Sequence, residues 1–117
     1  MSRRSDRHRL QHMLDHAREA ADLVRGRTRS DLDRERVLSL ALVRLLEIVG
    51  EAAARVSPDL QRQHGHVPWS EIVGLRNRLI HGYDAVDLDV LWQIVADDLP
   101  PLIAQLQAIL DVVPEGD

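Results

Sequence analysis

Cysteine, lysine and phenylalanine are all absent from this chain of 117 residues, which has only one tyrosine and two tryptophans. Without cysteine there can be no disulfide and no thiolate ligand for a metal, a composition that is typical of a reducing cytosol. Hydrophobic residues still make up 44% of the sequence, so the core has to be built from Leu, Ile, Val and Ala. A core of that kind favours packed helices over a sheet.

Long apolar runs are absent as well. Charged residues interrupt every apolar stretch well before the roughly 18 residues that a membrane span needs, and the arginine-rich N-terminal segment has no apolar signal core after it. We therefore expect a cytoplasmic protein with no membrane partner. The length predicts a single domain over residues 1–117, large enough to bury a core of its own.

Charge is distributed unevenly along the chain. The formal net charge is −4, yet residues 1–36 carry ten of the fifteen arginines, whereas residues 84–117 carry eight acidic residues and no basic one. An acidic total argues against a broad electrostatic contact with nucleic acid. Any RNA binding should therefore be local and centred on arginine.

Apolar residues at helical spacing predict four long helices and a short one. The first long helix covers about residues 8–25. Ser30, Asp31 and Asp33 are candidate caps for a second helix that runs to about Val56 and is apolar around most of its circumference. Such a helix is either central to a bundle or buried in a partner. The sequence therefore predicts an all-α antiparallel bundle that forms a dimer.

The remaining helices are marked by their caps. Ser57 and Pro58 begin the short helix. The third long helix opens at Trp69 and closes at Gly82. Asp87 caps the last helix, whose apolar stripe keeps its phase across the pair Pro100 and Pro101, and this indicates one long helix kinked at the prolines. No alternating pattern typical of a strand is present.

The most informative segment is R-N-R-L-I-H-G-Y, residues 76–83. Helical spacing assigns Arg76 and Tyr83 to the stripe that faces the core. A guanidinium at such a position requires an ion pair, hydrogen bonds or a cleft. In a regular helix His81 would point about 140° away from Arg76, so the two can converge only if the helix ends at or just before His81, which Gly82 permits.

Arginine and histidine without a metal suit the cleavage of RNA by its own 2′-hydroxyl. His81 would transfer protons near neutral pH, and Arg76 would hold the phosphate as it gains charge. Because this reaction needs both an acid and a base, two His81 residues paired across a homodimer would complete the site. The structural alternative is that Arg76 forms an ion pair with Glu47 or Glu51, and that His81 interacts with the helix dipole.

The segment P-W-S-E-I-V-G-L-R-N-R-L-I-H-G-Y resembles the signature of the HEPN family, in which an arginine precedes His-any-Tyr by four to six residues. Two further segments, L-E-I-V-G-E-A-A and V-D-L-D-V-L-W-Q-I-V-A-D-D-L-P, resemble its HepT branch, so the similarity covers about residues 31–106. It implies a HEPN-like helical dimer that cleaves RNA without a metal or other cofactor, as the toxin of a toxin–antitoxin pair. Arg76 and His81 would then be the catalytic residues.

The same resemblance implies a partner and a role for Tyr83. In the family, the motif tyrosine receives AMP from a minimal nucleotidyltransferase antitoxin of the MntA type, and this silences the toxin. A phosphate added beside Arg76 would compete with the RNA phosphate for the same positive charge. Two alternatives remain: a non-catalytic helical module that docks the nucleotidyltransferase, or an antidote to a toxic partner.

Asn77, Arg78 and Glu51 are candidate supporting residues. Asn77 lies one turn before His81 and could orient its ring, while Arg78 could contact RNA phosphate at the rim of the cleft. Glu51 is favoured over Glu47 as the carboxylate that fixes the motif arginine. The alternative for all three is an ordinary solvated side chain.

His8, His12 and His16 are spaced four residues apart and line one helix face, a geometry that can bind zinc. They lie close to the N-terminus, and no cysteine can join them. We therefore predict solvated histidines and no metal site.

Overall fold

The computed structural model describes residues 3–82 and 85–114. Its helices are α1 (Arg3–Leu23), α2 (Arg29–Arg34), α3 (Arg36–Ala54), α4 (Pro58–Gln63), α5 (Trp69–Val73), α6 (Leu75–Leu79), α7 (Leu88–Gln93) and α8 (Leu99–Val112). Two short strands, β1 (Ile80–His81) and β2 (Ala85–Val86), pair antiparallel, and a π-helical turn (Ile94–Asp98) joins α7 to α8.

The core lies where α1 packs along α3 and α8, with α5 and α6 against the other side of α3. Its fully buried side chains are predominantly leucines, including Leu10, Leu14, Leu42, Leu46 and Leu106. The all-α prediction is therefore confirmed, whereas the dimer stays a prediction. Within the described part of the chain, no helix combines the length and apolar character that a bilayer span requires.

The predicted second helix is two helices. The chain leaves helical geometry at Glu35, where φ is −117° and ψ is 86°, and α3 begins one residue later. The cap of α2 is Thr28, whose backbone N–H donates to the Asp31 carboxylate at 2.7 Å. This bond, followed by the contact with Arg34, lowers the pKa of Asp31. The prediction of one helix from this region to Val56 is therefore wrong, because α2 has its own cap at Thr28 and ends at Glu35 before α3 begins.

Helix α4 begins as predicted at Ser57, whose hydroxyl accepts the N–H of Leu60 at 3.3 Å. The same residue connects α4 to α1. Asp6 is 4% exposed and accepts both the backbone N–H and the hydroxyl of Ser57, at 2.8 and 2.6 Å. A buried carboxylate that is satisfied in this way holds two distant segments together.

The motif region is not one helix closing at Gly82. It breaks at Gly74 between α5 and α6, and helical structure ends at Leu79. The chain then continues as β1 and turns through Gly82, which has a φ of +71°, so that β2 returns beside β1. This hairpin was not predicted, because neither strand is long enough to show alternation.

The break at Gly74 also changes which residues face the core. Leu75 and Leu79 are buried, while Arg76 has 65% of its side chain exposed. The predicted core-facing stripe through Arg76 is therefore wrong, since the helical phase counted from Trp69 does not continue past the break. Because its side chain is exposed, Arg76 does not place a charge in the core and needs no buried ion-pair partner.

The last helix runs without interruption from Leu88 to Val112, as the apolar phase predicted. Asp87 caps it, because one carboxylate oxygen accepts the N–H of Val90 at 3.1 Å. Before the proline pair the helix widens into the π-helical turn, in which the N–H of Leu99 donates to the carbonyl of Ile94. Prolines have no N–H to donate, and the wider turn lets the helix continue through them.

Candidate functional site

Arg76 projects from α6 toward α3. Its Nε donates to Oε2 of Glu47 at 3.2 Å, and the Glu47 side chain is only 20% exposed. The preference for Glu51 over Glu47 is therefore wrong. Glu51 lies one turn further along α3, where its carboxylate contacts Nη1 of Arg44 at 3.4 Å instead. Because only Nε takes part in this contact among the described residues, the terminal nitrogens of Arg76 are available to an anion.

A cavity of about 280 Å³ opens between α3 and the α5–α6 pair. Its lining comprises Glu47, Gly50, Glu51, Ala54, Val73, Arg76 and Asn77. The structure thus brings together Arg76, Asn77 and Glu51, three of the predicted site residues, in one opening. Gly50 lets α5 approach α3 closely beside the cavity, since a Cβ at that position would lie 2.9 Å from the carbonyl oxygen of Ile72.

His81 lies on β1, just beyond the helix end, and 62% of its side chain is exposed. Its Nε2 is 3.3 Å from Oδ2 of Asp87. The N–H of Val90 is the main cause that lowers the pKa of Asp87, burial opposes it, and His81 adds to the lowering. Asp87 is therefore an ionised carboxylate at neutral pH, and its contact with Nε2 orients the imidazole.

Asn77 does not orient the His81 ring. Its side chain lines the cavity beside Arg76, whereas the carboxylate on the ring belongs to Asp87. The prediction placed Asn77 one helical turn before His81, but the helix ends at Leu79. The hairpin then directs His81 toward the start of the last helix.

Arg78 faces away from the Arg76 cavity. It lies 3.7 Å from Asp98 of the π-helical turn, and both line a separate opening of about 160 Å³ between α5, α6 and α8. Arg76 and Arg78 of α6 therefore line different openings of the molecule. The placement gives Arg78 a contact with Asp98, and its predicted contact with RNA phosphate stays a prediction.

Within one chain, the described residues show no direct contact between Arg76 and His81. Each is exposed, each has one carboxylate partner, and they lie on consecutive elements. Chemically, the pair offers a cation that can hold a phosphate and an imidazole that can transfer protons.

A family model described as Ribonuclease HepT-like matches residues 13–109. The chain belongs to the HepT-like family. Its resemblance to the HepT branch of the HEPN family, seen in the motif segments, is thereby confirmed. Among solved structures, none gave a significant match.

Three curated relatives of this HepT-like chain are similar over most of their own length. A protein named "Putative RNase" from Caldanaerobacter subterraneus subsp. tengcongensis is 36% identical over 101 residues, covering 86% of this chain and 90% of its own. A "Probable ribonuclease HepT" from Thermococcus cleftensis is 35% identical over 100 residues, covering 82% and 91%. Another "Putative RNase", from Methanocaldococcus jannaschii, is 32% identical over 109 residues, covering 93% and 100%.

Tyr83 of this HepT-like chain lies outside the described residues, so its role as an AMP acceptor stays a prediction. The histidine face of α1 is described. Its ring centroids are 4.4 Å apart for His8 and His12, and 5.8 Å apart for His12 and His16. In the described ranges, no group of three or more His, Asp or Glu side chains is arranged to hold a metal ion.

Asp87 is the site residue that the sequence identified only as a helix cap. Asp87 lies six residues after His81 in the sequence, and the hairpin reverses the chain between them. Its second carboxylate oxygen therefore contacts His81. The only signal in the sequence was Gly82, a residue suited to a sharp reversal. A chain reversal at Gly82 predicts that the start of the next helix lies beside His81.

Proposed function

We propose that this chain is an endoribonuclease of the HepT type, which cleaves RNA without a metal ion and uses Arg76 and His81 as its catalytic residues. One observation carries the proposal. In a chain of the HepT-like family, the exposed His81 ring lies 3.3 Å from an ionised carboxylate. An imidazole held in this way is suited to proton transfer near neutral pH.

The reaction is an internal phosphoryl transfer. The RNA 2′-hydroxyl attacks the adjacent phosphorus, the bond from phosphorus to the 5′-oxygen breaks, and the products are a 2′,3′-cyclic phosphate and a 5′-hydroxyl. One His81 accepts the proton of the attacking hydroxyl, and a second imidazole donates a proton to the leaving oxygen. Arg76 binds the phosphate oxygens as their negative charge increases, through nitrogens that Glu47 does not occupy.

The need for two imidazoles supports a homodimer with a shared cleft. Exposed apolar side chains support association as well. On α3, Val37 is 80% exposed and Leu40 is 51% exposed, and Val73 beside the Arg76 cavity is 45% exposed. Val37 and Leu40 lie one turn apart on α3, and a contiguous exposed apolar patch marks a face that another chain can cover.

Regulation belongs to the same proposal. The chain would act as the toxin of a toxin–antitoxin pair, and a minimal nucleotidyltransferase of the MntA type would silence it by transferring AMP to Tyr83. The tyrosine follows His81 by two residues in the sequence. An added phosphate would compete with the RNA phosphate for the positive charge of Arg76.

Cleavage of RNA by purified variants tests the catalytic assignment. We expect His81→Ala to lower kcat/KM by about 10²- to 10⁴-fold and Arg76→Ala by about 10²- to 10³-fold, with cleavage unchanged by EDTA. His66→Ala and Arg62→Ala are matched controls, since both residues are exposed and lie outside the site. If His81→Ala cleaves RNA as fast as wild type, the assignment is wrong.

Intact mass tests the modification. The protein is produced with and without its nucleotidyltransferase, as wild type and as Tyr83→Phe. We expect a mass increase equal to one AMP group in wild type only. An increase that persists in Tyr83→Phe would place the modification elsewhere. A dimer that cleaves no RNA but binds the nucleotidyltransferase tightly would support the alternative, a non-catalytic docking module.

A further inference from the structure

A second cluster of basic side chains lies outside the motif. Arg9 of α1 and Arg55, the residue that follows α3, line an opening of about 120 Å³ between these helices, which we name the Arg9–Arg55 cavity. Its other lining residues are His12, Ile48, Glu51 and Ala52. Most of the polar groups around it can carry positive charge.

The two arginines are not neutralised. Across the described ranges, no carboxylate forms an ion pair with Arg9 or Arg55, and Nε of Arg9 is buried with no hydrogen-bond partner. Among the described residues that line the cavity, Glu51 alone has a carboxylate, and its oxygen contacts Arg44 at 3.4 Å. A buried Nε is not accessible to an anion in the cavity, so an anion there would contact the terminal nitrogens of the two guanidinium groups.

His12 reports the local environment. Desolvation is the main cause that lowers its pKa, and the positive charges of His8, His16 and Arg9 lower it further. His12 is therefore neutral near pH 7. A neutral ring can donate an N–H to an anion, while Arg9 and Arg55 supply the charge.

The cavity adjoins the proposed catalytic site. Glu51 lines both this cavity and the one that contains Arg76, so the two openings lie on either side of one residue of α3. Arg55 is just over two helical turns further along the chain than Glu47, the partner of Arg76, which is about 12 Å at the rise of an α-helix. A strand held at Arg76 could therefore continue to the second cavity.

We propose that the Arg9–Arg55 cavity binds a backbone phosphate of the RNA substrate, at a nucleotide beyond the one whose phosphate is cleaved at Arg76. The inference rests on the proposed ribonuclease function. It explains how a chain with a net charge of −4 holds a polyanion: the contact is made locally, by Arg76 and by two arginines that have no carboxylate partner among the described residues.

Binding of single-stranded RNA at several salt concentrations tests the proposal. The measurement is fluorescence anisotropy with a labelled RNA, and all proteins carry His81→Ala so that the RNA stays intact. We expect Arg9→Gln/Arg55→Gln to bind about tenfold more weakly at low salt. The slope of log K against log salt should decrease in magnitude by about 0.7 for each phosphate that the protein no longer neutralises.

Matched controls separate the cavity from total charge. Arg25→Gln/Arg62→Gln removes the same two charges at exposed positions outside the cavity, and we expect its affinity and salt slope to stay close to those of the parent. Arg9→Lys/Arg55→Lys keeps the charge and should retain most of the slope. Arg55→Gln alone changes an exposed residue, so it tests the cavity even if substitution of Arg9 impairs folding.

The outcomes distinguish this inference from the proposed function. If wild type cleaves RNA but the cavity variants bind with unchanged affinity and slope, the inference alone is wrong. If the parent binds RNA through the two arginines and wild type does not cleave it, the phosphate contact at the cavity stands and the nuclease proposal fails. An absence of RNA binding overturns both. Unchanged RNA binding together with a loss of nucleotidyltransferase binding overturns the inference in favour of a protein contact.

Discussion

The helical core and the motif segment differ in how their side chains are held. In the core, Leu10, Leu46 and Leu106 are fully buried, and each is fixed by packing on all sides. In the motif segment, Arg76 and His81 are 65% and 62% exposed, and each depends on one carboxylate. Substitutions in the core should therefore change the free energy of unfolding, while those in the motif segment should change cleavage.

The two regions meet at two places. Gly50 of α3 lets the backbone at Ile72 approach closely, and Asp87 caps α7 while it contacts His81. At these positions a single substitution should affect both properties.

The largest expected effect on stability is that of Leu46→Ala. Leu46 is fully buried on α3, and its truncation removes buried apolar surface and leaves a cavity. We expect the free energy of unfolding to fall by about 2–5 kcal/mol, measured by urea denaturation. Val112→Ala is the control, because that side chain is 70% exposed and should change stability by less than about 0.5 kcal/mol. Equal losses would contradict the assigned core.

Gly50→Ala should have the next largest effect. Alanine in place of glycine within a helix ordinarily stabilises it by up to about 1 kcal/mol. Here the added Cβ would lie 2.9 Å from the carbonyl oxygen of Ile72, so we expect a net loss of about 1–3 kcal/mol, seen as a lower urea midpoint. Because α5 must move, RNA cleavage should fall as well.

The control for Gly50→Ala is Gly65→Ala. A Cβ at Gly65 would have its nearest heavy atom, the carbonyl oxygen of Arg62, at 3.6 Å, an ordinary contact distance. Its stability and cleavage should stay near those of wild type. If Gly50→Ala is more stable than wild type, the close approach between α3 and α5 is not a constraint on the site.

The long helices were predictable because their signals are local. The spacing of apolar residues in α1 and in the last helix, and the caps Ser57 and Asp87, depend only on neighbours within a turn or two. The phase across Pro100 and Pro101 even indicated that one helix continues through them. Local physics was sufficient wherever an element is long and its cap is a polar side chain.

The missed break in the motif helix has its cause in packing between distant segments. The break at Gly74 lies where α5 is held against Gly50, and that contact cannot be read from either segment alone. Once the break is missed, Arg76 is assigned to the core. The preference for Glu51 over Glu47 came instead from the resemblance of the G-E-A-A segment to the family. The carboxylate on His81 was missed for a related reason, because a hairpin of two-residue strands has no periodicity.

Asp87 gives the smallest expected change in stability and the sharpest separation of two roles. Asparagine can still cap a helix, so Asp87→Asn should keep the free energy of unfolding within about 0.5 kcal/mol while it removes the charge beside His81. We expect kcat/KM for RNA cleavage to fall about tenfold, as for other residues that orient a functional imidazole. Asp87→Ala loses the cap too, and about 1 kcal/mol of stability.

The pH dependence of unfolding gives an independent test of the same residue. The pKa of Asp87 is lowered from its ordinary value of 3.8, chiefly by the N–H of Val90. The contribution of Asp87 to the free energy of unfolding is therefore complete at neutral pH, and it is lost as the pH falls below 3.8. Asp87→Asn should lose this part of the acid dependence.

Asp31→Asn is the matched control, since the pKa of Asp31 is also lowered, by the N–H of Thr28, at a cap in α2. It should lose the same kind of acid dependence without the tenfold loss of cleavage, because its carboxylate accepts from Thr28 and Arg34 and not from His81. If both variants cleave RNA equally well, Asp87 is only a helix cap. In that case the His81 imidazole needs no carboxylate partner for cleavage. The core then contributes to the motif segment only by holding it in position.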